Sequence, residues 1–167
     1  GDRVLLEPYV HCGMCYPCSI GHANCCENLT VRGVHIDGGM VEYIDHPRHL
    51  IHKVPGNISW RLAPMAEPLA IAMHAVKQAD VMCSEHVIIS GAGHIGLLAA
   101  QYVLALGAIP ILIDPVDSRL ALARKLDIPY VINKNARDVI SDAWAITGGR
   151  MAEVVIETSG DARAIRN

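Results

Sequence analysis

From His86 to Ile113 the chain runs 28 residues without one Asp, Glu, Lys or Arg. On length alone such a run can form a membrane-spanning helix. Its internal pattern divides it differently. Val87 to Ile89 is β-rich, Ile95 to Leu106 is helical, and Ile109 to Ile113 is β-rich again, with breaks at Gly91-Ala92-Gly93 and at Gly107. Pro110 would disturb a spanning helix near its end. A strand buried in a parallel sheet is apolar throughout, because helices cover both faces. The pattern therefore predicts strand, glycine turn, helix and strand in preference to a membrane span.

The same alternation continues downstream. DSRLALARKL places Leu120, Ala123 and Leu126 on one face with charges between, as an amphipathic helix does, and Ser118 is its candidate cap. Tyr130 to Ile132 reads as a short strand, Asp138 to Thr147 as a helix stopped at Gly148-Gly149, and Glu153 to Ile156 as a fourth strand ending in ETSG. Upstream, Met65-Ala66-Glu67-Pro68 leads into a helix reaching about Ala79, and GDRVLLEPYV alternates like a strand already under way at Gly1. Strands alternating with helices imply an α/β fold with a doubly wound parallel sheet. Such a nucleotide domain normally has six strands. With about four here and no initiator Met, the chain is expected to be truncated at both ends.

The glycine turn carries chemistry. Gly91, Gly93 and Gly96 form G-x-G-x-x-G, and Asp114 ends the next strand 18 residues after Gly96. A lone match is weak, but this one follows a strand and opens a helix, as the dinucleotide fingerprint requires. Gly91 permits the tight turn, Gly93 lets backbone approach a pyrophosphate, and Gly96 lets the helix pack close. The helix start offers free N–H groups and a positive dipole to phosphate. The Asp114 carboxylate can accept both ribose hydroxyls and would repel a 2′-phosphate, which favours NAD over NADP. The bland alternative is a structural strand–helix–strand with a capping Asp.

Five of the six cysteines lie in CGMCYPCSIGHANCC, from Cys12 to Cys26. Cys12, Cys15, Cys18 and Cys26 read C-x2-C-x2-C-x7-C. Zn²⁺ takes four thiolates tetrahedrally, and a closed site of that kind is structural. Two disulfides are an alternative, although disulfide scaffolds belong to small secreted chains and spread their cysteines further. An iron–sulfur run would place its fourth Cys at position 22, which is His22. Cys25 can substitute for Cys26 on spacing, and the more natural expectation is that it points away. The net charge of −3 argues against a nucleic-acid partner, and a 51% apolar composition suits a folded protein. No membrane partner is expected, and without a signal peptide ahead of the cysteines the expected location is cytoplasmic.

Glu67 opens a helix in an apolar neighbourhood. It is either an acid facing the helix dipole or a site residue. His74, seven residues on, shares its helical face and reads as a structural histidine rather than a ligand.

Taken together, GDRV, the cysteine loop, DGGMVEY, AEPLAIAMHAV, GAGHIG, Asp114 with RLALARKL, and VVIETSG resemble the zinc-containing medium-chain dehydrogenase/reductase family. The resemblance runs along almost the whole chain and is nearest to the polyol, threonine and hexonate branch. PCSIG and GVHIDGGMVEY resemble sugar-acid dehydrogenases such as the L-galactonate type. The resemblance implies a GroES-like barrel portion over residues 1–68, followed by the first part of an NAD-binding Rossmann domain over 69–167. It makes Cys12, Cys15, Cys18 and Cys26 the ligands of a structural zinc. It places Glu67 where polyol-type members bind the catalytic zinc directly or through water. Gly91, Gly93, His94, Ile95 and Gly96 fall on the cofactor turn, with Ile95 against the nicotinamide and Arg119 near the adenosine. His94 stands where Pro is usual, and LDIPYVIN replaces the commoner LGADYVIN.

The implied reaction is reversible hydride transfer between NAD and an alcohol, polyol or sugar acid, with zinc lowering the hydroxyl pKa. The implied assembly is a homodimer or homotetramer. The family's other catalytic zinc ligands precede GDRV, and none stands here. The alternatives left open are a non-catalytic NAD- or zinc-binding module and a zinc-stapled interaction domain with an incidental glycine turn. The chain by itself is expected not to turn over. Polyol-dependent NADH formation by these 167 residues, followed at the NADH absorbance band, would contradict that expectation.

Overall fold

Pro8 cuts the alternating run GDRVLLEPYV in two. In the computed structural model, which describes residues 1–162 and 164, β1 (Val4–Leu6) and β2 (Tyr9–Val10) take different partners. β1 pairs antiparallel with β4 (Ile51–Lys53), Leu5 opposite His52. β2 pairs antiparallel with β3 (Thr30–Val31), Tyr9 opposite Val31. Pro8 has no N–H for either ladder, and its carbonyl accepts the Arg32 N–H at 3.0 Å.

The chain divides into two units, Gly1–Pro64 and Met65–Asn167. In the first, the buried apolar side chains among the described residues are Cys26, Leu50, Val54 and Ala63. The Arg3 guanidinium donates to the Ile58 carbonyl and lies 4.7 Å from the Trp60 ring centroid. The exposed pairs Lys53–Asp2 and His52–Glu7, at 3.0 and 3.1 Å, add little.

The second unit is a four-stranded parallel sheet in the order β7-β6-β5-β8, made of β5 (His86–Ser90), β6 (Ile109–Asp114), β7 (Tyr130–Asn133) and β8 (Val154–Glu157). The helices are α2 (Ala66–Gln78), α3 (His94–Ala105), α4 (Asp117–Lys125) and α5 (Val139–Ile146). Side chains on β6 alternate between the two faces. Leu112 joins Ala72 and Val76 of α2, Ala99 and Val103 of α3, and Leu120 and Ala123 of α4. Ile111 and Ile113 join Ile132, with Val139 and Ile146 of α5 packed against them. Helices thus cover both faces, which explains why the strands are apolar throughout.

The long uncharged run is two strands and a 12-residue helix. Among the described residues no helix is long and apolar enough to cross a membrane. Pro110 sits within β6. The Ile109 N–H donates towards β5, to the Glu85 carbonyl, so position 110 faces the other side, where the ladder with β7 starts only at Ile111. The lost donor therefore costs no ladder bond. Ser118 is not the cap of α4: the helix starts at Asp117, and the capping position is Val116. Asp138 does cap α5, accepting the Ile140 N–H at 3.1 Å, and Gly148 and Gly149 end that helix at positive φ.

Leu112→Ala should destabilise the second unit by about 2–5 kcal/mol, because it opens a cavity in a fully buried layer. Val155→Ala, on the exposed side of β8, should stay within about 0.5 kcal/mol. Urea unfolding followed by circular dichroism compares the two.

Candidate metal lobe and nucleotide turn

The loop between β2 and β3 folds around its own thiols. α1 (Tyr16–Ser19), with Pro17 in its first turn, and a 3-10 turn at Ala23–Cys25 bring Cys12, Cys15, Cys18 and Cys26 together. Their Sγ atoms all lie within 4.8 Å of one another, and Cys15 Sγ is 3.9 Å from Cys26 Sγ. Zn–S bonds of about 2.3 Å in a tetrahedron require sulfurs about 3.8 Å apart. The four converge on one point as free thiols instead of pairing off. Cys26 is buried within the group, while Cys25 is exposed and takes a 3.5 Å contact from the Asn24 amide.

Backbone dipoles point into this cluster. The N–H groups of Cys12 and Asn28 each donate to Cys26 Sγ at 3.3 Å. Backbone hydrogen bonds from Met14 and Cys15 bring the Cys12 thiol down to about 6. Burial, and next the Cys15 thiol, push Cys18 up to about 12. Four thiolates so close together would repel one another. A divalent cation at the centre supplies the charge that four thiolates need. The donor set and its spacing fit zinc.

In the second unit β5 has β6 on one side and β8 on the other, so strand order reverses at β5, where α/β sheets bind ligands. The chain leaves β5 through Gly91, whose φ of +107° suits glycine alone. A Cβ on Gly96 would stand 1.9 Å from the Gly91 carbonyl oxygen, whereas one on Gly93 would meet nothing within 4 Å. Gly93 is the capping residue of α3. No side chain caps that helix, and its first turn holds no acid. Its positive end therefore has no side-chain partner and lies beside open space at Gly93, an arrangement that can receive an anion.

Asp114 is 3% exposed at the end of β6. Its Oδ2 accepts the Ala92 N–H at 2.8 Å and its Oδ1 the Val116 N–H at 2.8 Å. Arg119 approaches the same Oδ2 at 3.5 Å from an exposed position. His94 is exposed and Ile95 half-buried in the first turn of α3. Glu67 is exposed in the first turn of α2, in no cluster of three or more metal-binding side chains among the described residues. His74 is exposed too, 3.4 Å from the Gln78 amide. The residue that sequence reasoning passed over is Thr158, whose hydroxyl would lie 2.8 Å from a Cβ at Gly96. Its segment, ETSG, stands out in the sequence, but nothing local gives the hydroxyl a role, because its partners are more than sixty residues away.

Gly96→Ala should destabilise the second unit by about 1–3 kcal/mol, since backbone must move to admit the methyl. Gly93→Ala should stay within about 0.5 kcal/mol. Thermal unfolding of the two variants side by side is the check.

Comparison with known proteins agrees with both halves of this geometry. The alcohol dehydrogenase GroES-like domain matches residues 1–56, and the zinc-binding dehydrogenase domain matches residues 95–167. An uncharacterized zinc-type alcohol dehydrogenase-like protein of Haemophilus influenzae is 53% identical over the whole chain, which covers 49% of that protein. L-galactonate-5-dehydrogenase of Escherichia coli is 38% identical, again with all of this chain and 49% of that protein covered. An Escherichia coli oxidoreductase/dehydrogenase of unknown specificity superposes with a TM-score of 0.92 at 36% identity, over 99% of this chain and 48% of that one. An alcohol dehydrogenase from Escherichia coli CFT073, complexed with NADH, superposes with a TM-score of 0.86 at 34% identity, over 96% of this chain and 48% of that one. The chain thus spans about half the length of the relatives it matches. With a GroES-like part carrying a four-cysteine lobe and a Rossmann-type sheet after it, the chain belongs to the zinc-containing medium-chain dehydrogenase family.

Proposed function

We propose that the chain is part of an NAD-dependent zinc dehydrogenase that moves a hydride between NAD and a secondary alcohol of the polyol or sugar-acid class. The main support is the glycine turn under an uncapped helix start, with a buried carboxylate at the end of the neighbouring strand. The thiol lobe is the second support. The sugar-acid class is favoured by the likeness to L-galactonate-5-dehydrogenase. Assembly as a homodimer or homotetramer belongs to the same reading.

Each residue has a task in this scheme. The open space at Gly93 admits the pyrophosphate, and the N–H groups at the start of α3 donate to its oxygens. An ionised carboxylate offers about four lone-pair sites, of which two backbone N–H groups of this chain take one each at Asp114. Arg119, long and exposed, withdraws to leave the remaining sites to ribose hydroxyls. A 2′-phosphate would bring negative charge against the same carboxylate, so NADH should bind more tightly than NADPH. Ile95 in the first turn of α3 offers an apolar side chain to the nicotinamide. Bound NAD supplies the hydride acceptor, and a catalytic zinc the acid that activates substrate oxygen. Glu67 is the residue of this chain proposed to face that zinc. Cys12, Cys15, Cys18 and Cys26 hold a separate zinc that is structural, since four protein ligands leave no position for substrate.

Two measurements test the scheme. Elemental analysis with thiol titration should find one zinc that masks four thiols until a chelator is added. Because the ligands bind as thiolates, lowering the pH favours their protons and should release zinc, and burial, which pushes Cys18 up to about 12, works in the same direction. A metal-free chain with all thiols reactive would remove the lobe from the reading. Titration of NADH fluorescence should show saturable binding that is weaker for NADPH and lost in Gly93→Val, whose side chain fills the open space. Equal binding of both nucleotides would contradict the role given to Asp114.

A further inference from the structure

The peptide unit joining Gly91 to Ala92 is gripped at both ends. Its carbonyl oxygen accepts the Thr158 hydroxyl at 3.1 Å, and its N–H donates to Asp114 Oδ2 at 2.8 Å. A peptide unit is planar, so holding both ends fixes the rotation of the whole plane. Thr158 stands just past β8 and Asp114 ends β6, on opposite sides of β5. The grip therefore spans three adjacent strands. The Thr158 hydroxyl also lies 2.9 Å from the Ser90 carbonyl, so its single proton is shared between two neighbouring carbonyls. The Thr158 backbone N–H donates to the same Ser90 oxygen at 2.9 Å.

Packing and charge both keep the hydroxyl in place. Side chains missing at Gly91 and Gly96 leave the space it occupies: a Cβ at either would come within 3.0 or 2.8 Å of it. On its outer side the Glu157 carboxylate accepts the Ser159 hydroxyl, the Ser159 N–H at 2.7 Å and the Gly160 N–H at 3.2 Å. The loop after β8 is thereby tied down next to Thr158.

We propose that Thr158 is a positioning residue for the dinucleotide turn. Its hydroxyl sets the 91–92 peptide plane, and with it the direction of the backbone N–H groups from Gly93 onward that face the pyrophosphate. Asp114 grips the other end of that peptide while its remaining lone pairs serve the ribose. Phosphate and ribose subsites are thus joined through one peptide unit. The proposal rests on the nucleotide reading above and adds to it a residue from the far side of β5.

The test is NADH titration by nucleotide fluorescence on the full 167-residue chain, with thermal unfolding run on the same samples. Thr158→Val keeps the shape and removes the hydroxyl, and should weaken NADH about 5- to 10-fold. Thr158→Ser restores the hydroxyl without the methyl and should bind within about twofold of the parent. A serine variant as weak as the valine one would show that the methyl group matters and would overturn the proposal, as would a valine variant that binds like the parent. If the valine variant fails to fold, Thr158→Ala against Thr158→Ser poses the same question: equal binding by those two overturns the proposal, and weaker binding by alanine alone supports it. Absence of NADH binding by the unaltered chain would instead remove the nucleotide reading, and the proposal with it.

Discussion

Helix α3 begins almost on top of the turn that precedes it. A single methyl group on Gly96 would stand 1.9 Å from the Gly91 oxygen, so this approach exists only because that position is glycine. The rest of the second unit is arranged around it. With α3 drawn in, Ala99, Ala100 and Val103 become fully buried against the sheet, and their small volumes keep the helix close to the strands. The same approach puts the uncapped end of α3 beside the tip of β5, flanked by β6 and β8. Asp114 and Thr158 can meet one peptide unit only because both neighbouring strands end there.

The first unit is organised on a different principle. It buries few apolar side chains and leaves large ones such as Met40, Tyr43 and Trp60 exposed, and its strands are two or three residues long. Short antiparallel pairs of this kind are marginal in water. A four-thiol centre holds a loop together with few apolar side chains, because metal binding contributes its own free energy to folding. Within that cluster backbone hydrogen bonds hold Cys12 down to about 6, while burial pushes Cys18 up to about 12. One unit is thus stabilised by close packing of small aliphatic residues. In the other, the thiol lobe is suited to stabilisation by a metal ion.

Much of this was legible in the chain itself, for identifiable reasons. Strands β5 and β6 and helix α3 announce themselves through long apolar runs punctuated by glycine, because burial on two sides forbids charge. The four ligand-spaced cysteines are legible because a loop closing on one ion needs short, regular spacing. Local signals were less secure where a neighbouring strand decides. GDRVLLEPYV reads as one strand, yet Pro8 and two different partners divide it. Ser118 has the chemistry of a cap, but α4 starts two residues too early to use it.

Spacing by itself determined the α/β alternation, the glycine turn, the acid at the end of β6 and the thiol quartet with one cysteine to spare. These are short-range patterns, and each is written within a few tens of residues. Tertiary structure decided between Cys25 and Cys26, because only the folded loop shows which thiol turns inward. It also decided that β8 lies next to β5, and so that Thr158 reaches a turn 67 residues upstream. Strand order is a long-range choice made by the packing of whole layers, and no local run of residues records it.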